Sequence, residues 1–130
     1  MSGITTYEEN RLLDIMLGNG TPATVYVGLC TGVAANGTIT GEPSGNNYAR
    51  IALTNNATNF PAASAGSKSN GTQINFNVPS GSWGTLTTFF VSDSASGNTN
   101  TKEYCTITTI TPGNGDTVKI VIGGTAFTLG

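Results

Sequence analysis

From residue 23 onward, apolar residues recur at every second position in short runs. Nowhere along that stretch is there a helical pattern of about 10 to 15 residues that could carry the chain between parallel strands. Strands formed here must therefore pair antiparallel. The runs are ATVYVGLCT (23–31), YARIALT (48–54), TQINFNV (72–78), LTTFFVSD (86–93), EYCTITTIT (103–111), TVKIVIG (117–123) and TAFTLG (125–130), seven strands with room for an eighth. Loops rich in Gly, Asn, Ser and Pro separate them at 32–47, 55–70 and 94–102. In TQINFNV, Ile74, Phe76 and Val78 share one face and Gln73, Asn75 and Asn77 the other, as in a sheet wet on one side. Val25, Val27 and Leu29 oppose Tyr26, Gly28 and Cys30, so that strand is apolar on both faces and is either central or covered by a helix. The pattern predicts a single all-β domain over 1–130, an antiparallel β-sandwich of jelly-roll type in preference to an immunoglobulin-like arrangement.

One segment breaks the period. Residues 9–18, ENRLLDIMLG, follow two overlapping capping registers, Thr5 and Thr6 with Glu8 and Glu9 three residues later, and end on Gly18. A helix over 6–17 is predicted. At about 100° per residue, Leu12, Leu13, Ile15, Met16 and Leu17 span an arc of roughly 200°, about twice the stripe a surface helix buries. One packing partner cannot cover such an arc, so these five residues are candidates for contact with a neighbouring subunit or another protein. On this reading Leu13→Asp or Met16→Asp abolishes assembly.

Charged residues make up only 9% of the chain, against about 25% in an average domain, whereas Thr, Asn, Ser and Gly account for 64 of 130 residues. The surface is polar but nearly uncharged. Arg11, Arg50, Lys68, Lys102 and Lys119 are scattered singly among seven acidic residues, which leaves no basic stripe for nucleic acid. No window approaches the ~18 apolar residues of a membrane span, and no basic segment precedes an apolar run at the N-terminus. Synthesis in a cytoplasm without export is the simplest reading. There Cys30 and Cys105, each in an apolar run, are expected as free buried thiols; a disulfide would require their strands to face each other closely.

Catalytic groups are scarce. The chain has no His, which removes the commonest general base, Ser-His and Cys-His nucleophiles and imidazole zinc sites. Its carboxylates sit where structure explains them: Glu8, Glu9 and Asp14 in the helix, Asp93 and Asp116 in turns, Glu42 and Glu103 beside loops. GNGD lacks the alternating ligands and terminal Glu of a calcium loop. GGTAFTLG opens no helix and cannot cradle phosphate. No catalytic, cofactor or metal site is expected. Trp83, Tyr48 and Phe60 stand at strand starts or in loops, where a sugar-binding module would display stacking rings, although core or interface anchoring suits Trp83 and Tyr48 better. Arg50 follows Tyr48 by two, which puts both on one strand face, either as an interface anchor pair or with the Arg stem flat on the sheet and its head in water.

Taken in order, TTYEENRLLDIMLG, ATVYVGLCT, GEPSGNNYAR, GSKSNGTQINFNVP, WGTLTTFFVSDSASG and GDTVKIVIGGTAFTL make nearly the whole chain resemble a family of small virion structural proteins of tailed bacteriophages, often labelled tail-fibre-like. The resemblance implies a jelly-roll sandwich with an N-terminal helix, no enzymatic activity and a symmetric oligomer on the particle, on either tail or capsid. Cys30 in the first strand departs from the family pattern, as does Asn46-Asn47 where glycines are common.

The resulting expectation is a capsid cement or decoration protein, a homotrimer on the outer shell that binds the major capsid protein, with the helix (Leu12, Leu13, Ile15, Met16, Leu17) and Tyr48, Arg50 and Trp83 at its interfaces. A 130-residue domain without a collagen, coiled-coil or β-helical repeat cannot by itself make a fibre shaft. The alternatives are a tail-fibre, baseplate or head-fibre knob, and a carbohydrate-binding module that meets a host-surface glycan.

Overall fold

The computed structural model describes residue 3, residues 5–98 and residues 101–129, with backbone alone for 19–22. Helix α1 runs over Thr6–Met16. Thr5 is its N-cap, and the Thr5 hydroxyl accepts from Glu8 N at 3.3 Å. Glu8 does not reach back to close the capping box; its carboxylate pairs with Arg11 at 2.8 Å. The helix ends one residue earlier than predicted because Leu17 is already extended, while its N–H still bonds Leu13 O. Gly18 at φ 121° then turns the chain into the first strand.

Strand β1 (Asn19–Cys30) is central to a four-stranded antiparallel sheet with β4 (Ile51–Asn56), β7 (Leu86–Ser92) and β8 (Thr101–Ile110), in the order β4-β1-β7-β8. Val25, Val27, Leu29, Phe89, Val91 and Cys105 face one side and are buried. Leu13 and Leu17 of α1 join them in one core. The other side of β1 is covered by a hairpin, not by the helix. Strands β2 (Gly32–Val33) and β3 (Ile39–Thr40) fold over it, and Cys30, Ile39 and Phe90 form a second small core with Val33. Gly28 lies beneath this cover: a Cβ there would stand 2.4 Å from Phe90 Cζ and 2.6 Å from the Tyr48 hydroxyl, so no side chain fits.

Two further antiparallel ladders complete the core. β5 (Ser67–Lys68) pairs with β10 (Phe127–Thr128), and β6 (Ile74–Asn75) with β9 (Lys119–Ile120). They contribute Ile74, Phe76, Val118, Ile120 and Phe127, and Phe127 packs 6.1 Å from Phe89 across the core. The chain is thus mostly antiparallel β with one short helix. Each predicted run coincides with a strand, but β2, β3 and β5 were not anticipated, because a two-residue strand in a Gly- and Asn-rich loop carries no readable period.

Val78 is corrected. It was expected inward with Ile74 and Phe76 but is 54% exposed. The last backbone bond of this strand is Phe76 N to Val118 O; beyond it Val78 O accepts from Asn47 Nδ2, and Pro79 cannot donate to a ladder. Asn46 and Asn47, which stand where the resembling family uses glycine, adopt φ 50° and 67°. Asn is the residue type that best tolerates this left-handed region after glycine.

Candidate interaction surface

Loop 41–50 is held to the sheet by Arg50. Its guanidinium lies 4.9 Å above the Phe90 ring, takes both Glu42 oxygens at 2.7 and 2.8 Å, and donates to Ser94 O at 2.8 Å and to Gly97 O. The Arg50 side chain is only 2% exposed and that of Glu42 21%. The Glu42 hydrogen bond raises the Arg50 pKa further, so its charge is permanent. Tyr48 completes the brace: its hydroxyl donates to Glu42 Oε2 at 2.7 Å and accepts from Leu29 N at 3.1 Å. Burial pushes this phenol far above its ordinary pKa. Trp83 packs edge-on against Tyr48 at 5.1 Å and donates its indole N–H to Asn46 O at 2.8 Å. Tyr48 and Arg50 do share a face, but they turn inward onto Glu42. The Arg50 head does not lie in water, since Glu42, Ser94 O and Gly97 O hold it.

The helix is fixed along one side only. Asn10 Oδ1 accepts from Gly66 N at 2.9 Å, and Asp14 Oδ1 accepts from Ala63 N and from Lys68 Nζ, each at 2.7 Å. Burial alone would raise the Asp14 pKa; the hydrogen bonds from Lys68 and Ala63 and the Lys68 charge outweigh it and lower it. Asn55 Oδ1 caps the helix end at Gly18 N (2.6 Å). Asn10, Leu13, Asp14 and Leu17 are thereby one inward stripe at the i, i+3, i+4, i+7 spacing.

The candidate residues consequently separate. Leu13 and Leu17 are fully buried and Trp83 is 5% exposed, all in the chain's own core. Leu13→Asp therefore places a charge in the chain's own core and lowers its stability whether or not the helix also meets a neighbour. Ile15 is 46% exposed, with Leu12 and Met16 half-buried beside it, and Tyr7 is exposed at the opposite end of the helix. The expected surplus of apolar surface exists but is narrower than the arc suggested, since Leu13 and Leu17 turn inward and Met16 packs against the core. Phe60 is also buried, so neither it nor Trp83 offers a ring face to a sugar; Tyr7 and Tyr104 are the exposed aromatics among the described residues.

Six of the seven carboxylates are paired within the fold: Glu8 with Arg11, Asp14 with Lys68, Glu42 with Arg50, Asp93 with Lys102, Glu103 with Tyr104 N and Asp116 with Gly113 N. Among the described residues no group of His, Cys, Asp and Glu could hold a metal ion, and no helix is long and apolar enough to cross a membrane. Cys30 and Cys105 are free and buried. Burial pushes the Cys30 thiol up to about 11, and the Cys105 thiol is also raised. Neither thiol is expected to react with Ellman's reagent at pH 8 in the folded protein, while both should react at once in denaturant.

Residues 3–128 match the model of the family described as podophage GP4 fiber I protein gp80, and the chain belongs to that family. It is therefore a phage fibre-type structural protein, associated with the virion, as the resemblance implied. No curated protein matches the chain.

Proposed function

We propose that this chain is a non-enzymatic cement or decoration protein: a symmetric homo-oligomer, a trimer, that binds the major capsid protein and ties neighbouring capsomers together, built on a jelly-roll sandwich. The observation that carries this reading is the outer strip of α1. Ile15, with Leu12 beside it, is held outward by a helix whose other side is pinned through Leu13, Leu17 and the Asp14–Lys68 pair, while Met16 packs against the core. A rigid apolar strip of this kind is suited to burial against a neighbour. The low charge supports the same reading, since like-charge repulsion between many close-packed copies stays small.

A fibre component of the tail, baseplate or head is the second reading, favoured by the fibre description of the family. Imaging of purified particles separates the two. Density on every capsomer is expected; density confined to the tail would overturn the cement role. The helix strip has its own test. Ile15→Asp is expected to leave the circular dichroism and melting of the isolated chain nearly unchanged, because the site is open to water there. Shell binding should be lost, since a charge buried without a partner costs several kcal/mol. An Ile15→Asp protein that decorates particles like the wild type would exclude the strip as the contact.

A further inference from the structure

An asparagine followed by glycine is prone to lose its side-chain ammonia, because glycine has no Cβ to hinder the approach of its own nitrogen to the asparagine side chain. The chain has four such pairs: Asn19-Gly20, Asn36-Gly37, Asn70-Gly71 and Asn114-Gly115. The fold separates them. Asn70 is 2% exposed, its Oδ1 and its Nδ2 each hold two partners, and Gly71 N donates to Asn59 O at 2.7 Å. Asn19 and Gly20 lie within β1, where Asn19 pairs with Asn56 of β4. Asn114 is exposed, but its turn is clasped by Asp116 N to Gly113 O at 3.0 Å and by Gly113 N to Asp116 Oδ2 at 2.7 Å, and Gly115 N is tied across to Pro79 O at 2.9 Å. The Asp116 carboxylate in that turn also opposes a second negative charge.

Asn36 is placed differently. It is exposed at the tip of the β2–β3 hairpin, whose ladder is only Gly32 with Thr40 and Val33 with Ile39. Gly37 N donates to Ala34 O at 2.8 Å, a bond within the exposed turn itself that opens without disturbing the core. Thr38 N donates to Asn36 Oδ1 at 3.1 Å. The ring closed by this bond contains both Asn36 Cγ and Gly37 N, the two atoms that must join, so the side chain is folded back over the nitrogen that attacks it. The same N–H points at the oxygen on which negative charge develops. We infer that Asn36 is a self-modifying position, which the folded chain converts to aspartate and isoaspartate without an enzyme. Gly37 N bonds to Asn36 Cγ and gives up its proton to water; the bond from Cγ to Nδ2 breaks, and the amide nitrogen takes up a proton and leaves as ammonia. Water then opens the succinimide ring at either carbonyl. The sum is one water consumed, one ammonia released and no change of oxidation state. Each conversion adds a negative charge to a chain of formal net charge −2, and the isoaspartyl product adds a backbone carbon to the turn above Cys30, Ile39 and Phe90. The inference does not depend on the proposed shell role.

The test follows the wild-type full chain, folded and in urea, through warm incubation at mildly alkaline pH. Peptide mapping by mass spectrometry locates each amide that has become an acid, and methyl labelling with protein isoaspartyl methyltransferase locates each isoaspartate. In the folded chain Asn36 is expected to convert first, several-fold ahead of Asn114, with Asn70 unchanged, because Asn70 reacts only when its segment opens. In urea the three rates should converge. Conversion of Asn36 no faster than that of Asn114 in the folded chain, or the same spread of rates in urea, overturns the proposal. Thr38→Pro removes the N–H that Asn36 Oδ1 accepts from and leaves the Asn36-Gly37 pair intact. In a Thr38→Pro protein with wild-type circular dichroism, Asn36 is expected to convert several-fold more slowly; conversion at the wild-type rate overturns the part given to Thr38 N.

Discussion

Glu42→Ala should lower the stability of the folded chain by about 3 kcal/mol, read as a fall in the urea midpoint at unchanged slope. The loss comes less from the missing pair than from what stays behind. The Arg50 side chain is 2% exposed and cannot give up its proton, so without Glu42 its charge has only Ser92, Ser94 O, Gly97 O and the Phe90 face for company. The estimate sits at the low end for breaking a buried pair because Glu42 itself is 21% exposed and water can reach the gap. The double variant Glu42→Leu with Arg50→Met discriminates. If the orphaned charge is the cause, the double variant should be more stable than Glu42→Ala alone. A double variant at least as unstable as the single one would mean that the loop is held by the specific bonds of Arg50 to 94–97.

A loss of similar size, about 3 to 4 kcal/mol, is expected for Asn70→Ala. Asn70 is 2% exposed and joins three segments. Its Oδ1 accepts from Thr125 N at 3.1 Å and from the Thr125 hydroxyl at 2.9 Å, while its Nδ2 donates to Thr72 O at 2.9 Å and Val121 O at 2.8 Å. Alanine leaves those groups without partners in a place where only a few can find water. Asn70→Asp, which keeps the shape but turns the donor into an acceptor facing two carbonyls, should be no better than alanine. Urea unfolding measures both, and hydrogen exchange at Gly123 and Thr125 would localise the effect. An Asn70→Asp protein as stable as the wild type would show that the amide nitrogen contributes nothing.

Neither hub was legible in the sequence. Asn70 lies in a loop signal, KSNG, where Asn ordinarily forms a turn, and two of its three partner residues, Val121 and Thr125, are 51 and 55 residues away. That Tyr48 and Arg50 share one side is legible, because a separation of two on a strand dictates it. The sequence could not say that Glu42, eight residues back across the loop PSGNNYA, would fold over to meet them. The capping of α1 by Thr5 was legible because it is local. The Asp14–Lys68 pair that docks the helix, spanning 54 residues, was not.

What the sequence determined by itself is what depends on near neighbours. The period-two runs dictate antiparallel strands, the Thr5 cap and Gly18 bound the helix, and the absence of His with sparse charge limits the chemistry. The tertiary structure alone decided which half of the helix is surplus, that Trp83 lies inside and that Val78 lies outside. Those outcomes rest on contacts between residues distant in the chain, where burial and hydrogen-bond satisfaction in three dimensions override the local preference of any one segment.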